Sequence, residues 1–288
     1  MALSEGSSSL YLLPMRLFGR RRRRRGRTAR RGTDAGWLAS RIDFGCVTAT
    51  GPRPDNEDRC EVSPRWAIIS DGAGGHAGGA LAAELTVREV VTCLDAWEGA
   101  IDETVVHQAV MRANTAVRSR RVSDATVADM AATLTLALAT SVHADESSWL
   151  VVNVGDSPAW LAAAHGFTRV TEEHNMAAEL VRSGVISRDT ARMHPGRHVV
   201  TRAIGGADTV MVDPAHVALH PDDQLVVASD GLEVLSEREM EDVIRRAPTA
   251  RDAARRLVDA ALSGNASDNV TVAVLRHLQS SGDAPGAR

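Results

Sequence analysis

The chain has 288 residues and no lysine, so all 33 of its basic side chains are arginines. That absence says little about chemistry, but other absences exclude more. No run of about 18 or more apolar residues occurs, which excludes a membrane-spanning helix. Cysteine is scarce: Cys46, Cys60 and Cys93 are odd in number and lack the spacing of a metal site. Such a set fits thiols kept reduced in a cytoplasmic compartment. A secretory or twin-arginine leader is not expected either. The basic run follows the apolar "LYLLPM" instead of preceding it, and "GTDAGWLAS" beyond it is not an apolar core.

What is present is ordinary for a water-soluble globular domain with a sizeable core: 44% hydrophobic and 24% charged residues. The charge is divided unevenly. Residues 1–31 hold ten arginines and Glu5, giving +9, whereas the remaining 23 arginines and 36 acids give −13. A block of like charge repels itself, so 1–40 is expected to be a disordered basic extension. An anionic membrane, nucleic acid or the acidic domain itself would attract it. The Gly- and Ala-rich residues 278–288 are expected to fray.

From 41 to 277 the hydrophobic period changes repeatedly. Strand-like runs fall at 42–51, 65–70, 131–140, 148–154, 159–165, 209–219, 224–229 and 269–276. Helical spacing covers 80–97, 102–121 and much of 232–263, with short helices and loop at 175–200. Helices come in pairs between runs of strands. This pattern predicts an α+β fold with antiparallel sheet covered by helical layers, and argues against a doubly wound parallel sheet.

Acids recur where apolar strands end. Asp71 follows "WAIIS", Asp156 follows "WLVVNVG", Asp230 follows "QLVVAS", and Asp268 precedes "NVTVAVL". A further acidic group, Asn56-Glu57-Asp58, follows Arg53. Each aspartate alone would be an ordinary turn residue or helix cap. Together they would repel one another unless a cation lay among them. Oxygen donors without histidine or cysteine favour Mg²⁺ or Mn²⁺. The glycines after Asp71 would let backbone approach closely, with the Gly72 carbonyl as a further donor.

In order along the chain, "RPDNED" (53–58), "DGAGGHAGG" (71–79), "AATLTLAL" (131–138), "NVGDSPAWL" (153–161), "TEEHN" (171–175), "VTRAIGG" (200–206), "LVVASDGL" (225–232) and "GNASDNVTVAVL" (264–275) resemble the motifs of the metal-dependent type 2C (PPM) serine/threonine protein phosphatases, especially bacterial members. The resemblance runs from about 45 to 275, and its ordered combination is more specific than any single motif. It implies a four-layer αββα sandwich with two central antiparallel sheets. It implies two bound Mn²⁺ or Mg²⁺ ions: Asp71 would bridge them, the Gly72 carbonyl would bind one, and Asp230 and Asp268 the other. Asp156 would help hold a third, looser ion. Glu57 and Asp58 would lie in the outer shell, and Arg53 would grip the substrate phosphate. The implied reaction is in-line attack by a metal-bridged hydroxide on phosphoserine or phosphothreonine, without a phosphoenzyme. Phosphorylated proteins, Ser/Thr kinases or their substrates, would be the partners.

Three departures stand out. Ala73 stands where animal members carry a histidine proposed as general acid and bacterial members often carry methionine, Pro158 replaces the arginine of the GDSR segment, and Ala131-Ala132 replaces Gly-Thr. These leave a second reading, a non-catalytic phosphoprotein-binding relative of the same fold. His76 is read as packing at a helix start at least as readily as reaching the pocket. His174 begins the segment resembling the variable flap. His194, His198 and Arg197 are expected on a solvated flap loop. Nucleic-acid binding would rest on the arginine run alone.

Overall fold

Ile68 and Ile69 are chain neighbours, yet both are wholly buried in different cores. A pleated strand sends successive side chains to opposite faces, so two buried faces mean a layer on each side. The same alternation separates Val226 from Val227 and Val272 from Ala273. The computed structural model describes residues 10–11, 40–75 and 77–279. The arginine-rich run, most of the 1–40 extension, His76 and residues 280–288 lie outside the described residues.

One sheet contains, in spatial order, β1 (Leu10–Tyr11), β2 (Ile42–Ala49), β13 (Val270–His277), β12 (Gln224–Ala228), β9 (Ala159–Ala163) and β10 (Gly166–Arg169). The other runs β11 (Asp213–Leu219), β8 (Ser147–Val154), β7 (Leu134–Val142), β4 (Trp66–Ser70) and β3 (Arg59–Ser63). A short pair joins β5 (Gly72–Ala73) to β6 (Ala131–Ala132). All the pairings within the two large sheets are antiparallel.

Helices α1 (Ala77–Ala96) and α2 (Glu103–Ser123) cover the second sheet, where Val90, Leu94, Val106 and Val110 meet Ile68, Leu136 and Val152. Two short helices, α3 (Met176–Arg182) and α4 (Arg188–Ala191), lie in the flap segment. Helices α5 (Glu237–Arg245) and α6 (Ala250–Ser263) cover the first sheet, with Leu257 and Val258 against Val47, Val226 and Val272. Between the sheets lie Ile69, Trp149, Val151, Val227 and Leu275. The expected αββα sandwich is the observed fold.

Local chemistry sets the helix boundaries. Asp102 caps α2 by accepting from the Val105 N–H, and Ser236 with Glu239 forms a reciprocal capping box at α5. Thr249 caps α6 through the Asp252 N–H, just after Pro248 separates the two helices. Besides the two-residue β1 and β5, the strands β3 and β10 escaped the sequence reading. Both are short, half-buried edge strands, so neither has a continuous apolar face. Helix α1 starts three residues before the expected position, taking Gly78 and Gly79 into its first turn.

The cysteines also differ from expectation. Cys46 on β2 and Cys60 on β3 are joined by a disulfide, while Cys93 is free. Facing positions on two packed sheets bring them together, which a sequence separation of 14 does not reveal. A loop of this length gives a disulfide about 3 kcal/mol of stabilisation. Reduction, or Cys46→Ser with Cys60→Ser, is therefore expected to lower Tm by roughly 6–10 °C. An unchanged melting curve, with three thiols titrating in unreduced protein, would show that this bond does not form.

Candidate active site

Antiparallel order decides where the acids meet. Because β4 and β8 both run antiparallel to β7, their carboxyl ends leave the sheet at the same edge; β3 enters there. In the other sheet β12 ends where β13 begins. Thus Asp71 after β4, Asp156 after β8, Asp58 before β3, Asp230 after β12 and Asp268 before β13 gather at one end of the sandwich.

Polar neighbours position Asp71, Asp58 and the acidic loop. The Asp71 N–H donates to Thr133 Oγ1 at 2.9 Å, and the Thr133 N–H returns to the Asp71 carbonyl at 2.8 Å. Thr133 separates β6 from β7, and its hydroxyl also meets Ser157 Oγ at 2.7 Å. Asp58 is 2% exposed; its Oδ2 accepts from Ser229 Oγ at 2.7 Å and Thr271 Oγ1 at 2.6 Å, while its buried Oδ1 has no partner. Asn269 ties the acidic loop down: its Oδ1 accepts from the Glu57 N–H at 2.9 Å, and its Nδ2 donates to the Thr50 and Asp55 carbonyls. Arg53 Nη2 donates to Asp268 Oδ2 at 2.6 Å.

The backbone approach expected after Asp71 is present. A Cβ on Gly79 would lie 2.6 Å from Glu57 Oε2 and 2.8 Å from the Gly72 carbonyl oxygen. Only a bare α-carbon lets the helix start, the Glu57 carboxylate and that carbonyl share this space. Gly155 turns the chain into Asp156 with φ +109°, and a Cβ there would strike the Thr133 side chain at 2.6 Å.

His174 is wholly buried and holds this turn from behind, which the sequence did not reveal. Its Nδ1 accepts from the Gly155 N–H at 3.0 Å, so Nε2 carries the proton and donates to Asp213 Oδ2 at 2.8 Å. Burial pushes the imidazole pKa down. Ser157, Ser229, Thr271 and Asn269 were likewise missed. Their signal is a polar residue beside an acid where an apolar strand begins or ends, with Ser-Asp-Gly at both 70–72 and 229–231.

The electrostatics are those of an uncompensated cluster. Burial first, then repulsion by Asp58, Asp230, Asp156 and Asp268, raises the Asp71 carboxyl well above its ordinary range. Burial also lifts Asp58 and Asp156 to about 7. For Asp230, burial and Asp268 raise the carboxyl, opposed by the charges of His198, Arg53 and Arg197. Nearby Glu233 is raised to about 7 by burial against the pull of Arg169, which bonds it at 2.8 Å.

These residues fit divalent cations. The donors are hard oxygens, Asp58 Oδ1 is buried without a partner, and the Gly79 cradle holds carbonyl and carboxylate together. Among the described residues no three Asp, Glu, His or Cys side chains already close on one ion, and Arg53 is the cation on Asp268. A site of this kind leaves coordination to be completed by water, as Mg²⁺ and Mn²⁺ prefer.

Carboxyls raised in the fold above their unfolded values hold protons that the unfolded chain releases near pH 4. Their stabilising contribution is complete below that pH and lost as pH rises through about 7. The Tm of chelator-treated protein is expected to fall between about pH 5 and pH 8. Added Mn²⁺ or Mg²⁺ is expected to raise it most at the alkaline end. A flat profile without a metal response would contradict this account of the cluster.

Comparison with known proteins gives one consistent result. The family model described as Protein phosphatase 2C matches residues 52–271. The serine/threonine phosphatase stp of Listeria monocytogenes is 32% identical over 213 residues, covering 71% of this chain and 81% of that protein. The phosphatase PstP of Mycobacterium tuberculosis is 29% identical over 242 residues, 82% of this chain but 44% of that longer protein. Among solved structures, the PPM Ser-Thr phosphatase MsPP from Mycobacterium smegmatis, in complex with cacodylate, superposes with a TM-score of 0.71 at 32% identity, covering 81% of this chain and 97% of that one. The catalytic domain of PstP, in complex with two manganese ions, has a TM-score of 0.71 at 26% identity, covering 83% and 99%. By its motifs, its fold and this extended similarity, the chain belongs to the bacterial PPM branch of the protein phosphatase 2C family.

Proposed function

We propose that the chain is a protein serine/threonine phosphatase dependent on Mn²⁺ or Mg²⁺, with its catalytic domain over 41–277. The observation that carries this reading is the convergence of Asp58, Asp71, Asp156, Asp230 and Asp268, whose charges act on one another with no fixed cation sufficient to balance them. Asp71, the Gly72 carbonyl, Asp230 and Asp268 would hold two ions, Asp156 a third and weaker one, and Glu57 and Asp58 the surrounding water. When bound, the metals would activate water as nucleophile and neutralise charge on the phosphoryl group.

The protein's own groups do the remaining work. Arg53, with a side chain 53% exposed, would leave Asp268 once a cation takes that carboxylate, turning its planar fork to the phosphate. Hydroxyls of Ser229 and Thr271 orient Asp58, and Thr133 with Ser157 fixes the Asp71 loop. Ala73 is exposed and carries no proton, so the leaving oxygen would take its proton from water in the open site. Phosphorylated proteins, Ser/Thr kinases or their substrates, would be the targets, consistent with the names of the Listeria and Mycobacterium relatives.

A cytoplasmic location belongs to this proposal. No helix among the described residues is long and apolar enough to cross a membrane. In a reducing compartment the Cys46–Cys60 pair would stand as thiols.

Hydrolysis of a small aryl phosphate and of a phosphothreonine peptide is expected with Mn²⁺ or Mg²⁺ and not with chelator. Asp71→Asn and Asp230→Asn should each lower kcat at least ~100-fold, on the scale of losing a preorganised electrostatic group. Folded protein inert with every divalent metal, yet still binding phosphopeptide, would favour the non-catalytic reading. Full activity in Asp71→Asn would remove that residue from the site.

A further inference from the structure

The flap between Asn175 and Thr201 is anchored beside the acid cluster at both ends. The His174 N–H donates to the Gly155 carbonyl at 3.0 Å, one residue from Asp156. The Met176 N–H donates to the Val199 carbonyl at 2.9 Å, the Thr201 N–H to the His174 carbonyl at 2.8 Å, and Asn175 bridges Val200. The residues just before Val199 are therefore held at the rim of the site.

Those residues form the 3-10 turn Pro195–His198, and the turn is braced. His194 Nδ1 accepts from the Gly196 N–H at 3.0 Å, and the Arg197 N–H donates to the His194 carbonyl at 3.1 Å. Gly196 is buried so tightly that a Cβ would meet His194 Nδ1 at 2.9 Å and Met176 Cβ at 3.1 Å. Arg197, His198, Val199 and Val200 are all exposed.

The Arg197 guanidinium is itself held. Nη1 donates to the Arg192 carbonyl at 3.1 Å and Nε to His198 Nε2 at 2.8 Å. His198 therefore accepts at Nε2 and, as a neutral ring, carries its proton on Nδ1. Arg197 Nη2 and His198 Nδ1 have no partner among the described residues, so two fixed donors remain for an incoming acceptor. No acidic side chain pairs with either group among the described residues. Residues 176–200 carry four arginines and two acids, in a chain whose residues beyond 31 sum to −13. The charge of Arg197, like that of Arg53, reaches Asp230.

We propose that Arg197 and His198 form a second anion site that selects phosphopeptides carrying another acidic group, a carboxylate or a second phosphate, beside the phosphoresidue under attack. Arg53 and the metal cluster would take the reacting phosphate, and the flap pair would take its neighbour. Preorganised donors spare the ordering that a mobile loop would require. The proposal rests on the phosphatase reading for its substrate class.

The test separates binding from turnover. Fluorescein-labelled peptides contain a non-hydrolysable phosphonate analogue of phosphothreonine, flanked by alanine, by aspartate or by a phosphothreonine. Their Kd values are measured by anisotropy with Mn²⁺ at low salt, where exposed charges are least screened. The aspartate- or phosphothreonine-flanked peptide, or both, is expected to bind about fivefold tighter than the alanine-flanked one. Whichever ratio is larger identifies the preferred second group. R197E should abolish the preference and R197Q should reduce it, with unchanged circular dichroism. H198A should weaken it about twofold. Equal Kd values for all three peptides, or the full preference kept by R197E, would overturn the proposal. Hydrolysis of an aryl phosphate by the unaltered protein, assayed alongside, reports on the phosphatase reading alone. Its absence would defeat that reading while the binding ratios still decide this one.

Discussion

The structure turns on the repulsion among five aspartates gathered at one end of two packed sheets. Burial and mutual charge both oppose ionisation, which is why Asp58 and Asp156 rise to about 7 and Asp71 and Asp230 also rise. A fold that served only stability would not hold this arrangement, because an apolar end would cost less than unpaired buried carboxylates. The αββα layers supply the rigidity to hold it. Three separate cores, one under each helical layer and one between the sheets, fix the strands from both faces.

Around the acids lies a set of small polar groups that orient without adding charge. Ser229 and Thr271 saturate one oxygen of Asp58, Thr133 bonds Asp71 and Ser157, and Asn269 fastens the Glu57 loop. His174 acts at longer range, linking the Gly155 turn to Asp213 and, through backbone bonds, to the flap. The acid cluster, the Gly72–Gly79 cradle and the flap are therefore one connected unit. Displacing any part moves donors that serve another.

Much of this was legible in the chain. Buried strands such as "WAIIS" and "QLVVAS" have continuous apolar runs, and the acids that follow them mark where each strand leaves the sheet. The edge strands β3 and β10 were not legible, because a half-buried pairing leaves neither alternation nor an apolar run. The helical role of Gly79 was hidden as well. Glycine disfavours a helix by propensity, and only the closeness of Glu57 and the Gly72 carbonyl explains its use there. His174 looked like the start of a loop, yet its ring is wholly buried.

By itself the sequence determined most of the order of strands and helices, the covering of antiparallel sheet by helices, and which acids stand at strand ends. These follow from local periodicity and backbone preference, which need no knowledge of distant residues. Tertiary structure alone decided that the five aspartates share one end, that Cys46 meets Cys60, and that the Arg197 turn stands at the rim. Such pairings join residues far apart in the chain. They are set by the antiparallel direction of each strand and by close packing between layers, so no short stretch of sequence contains them.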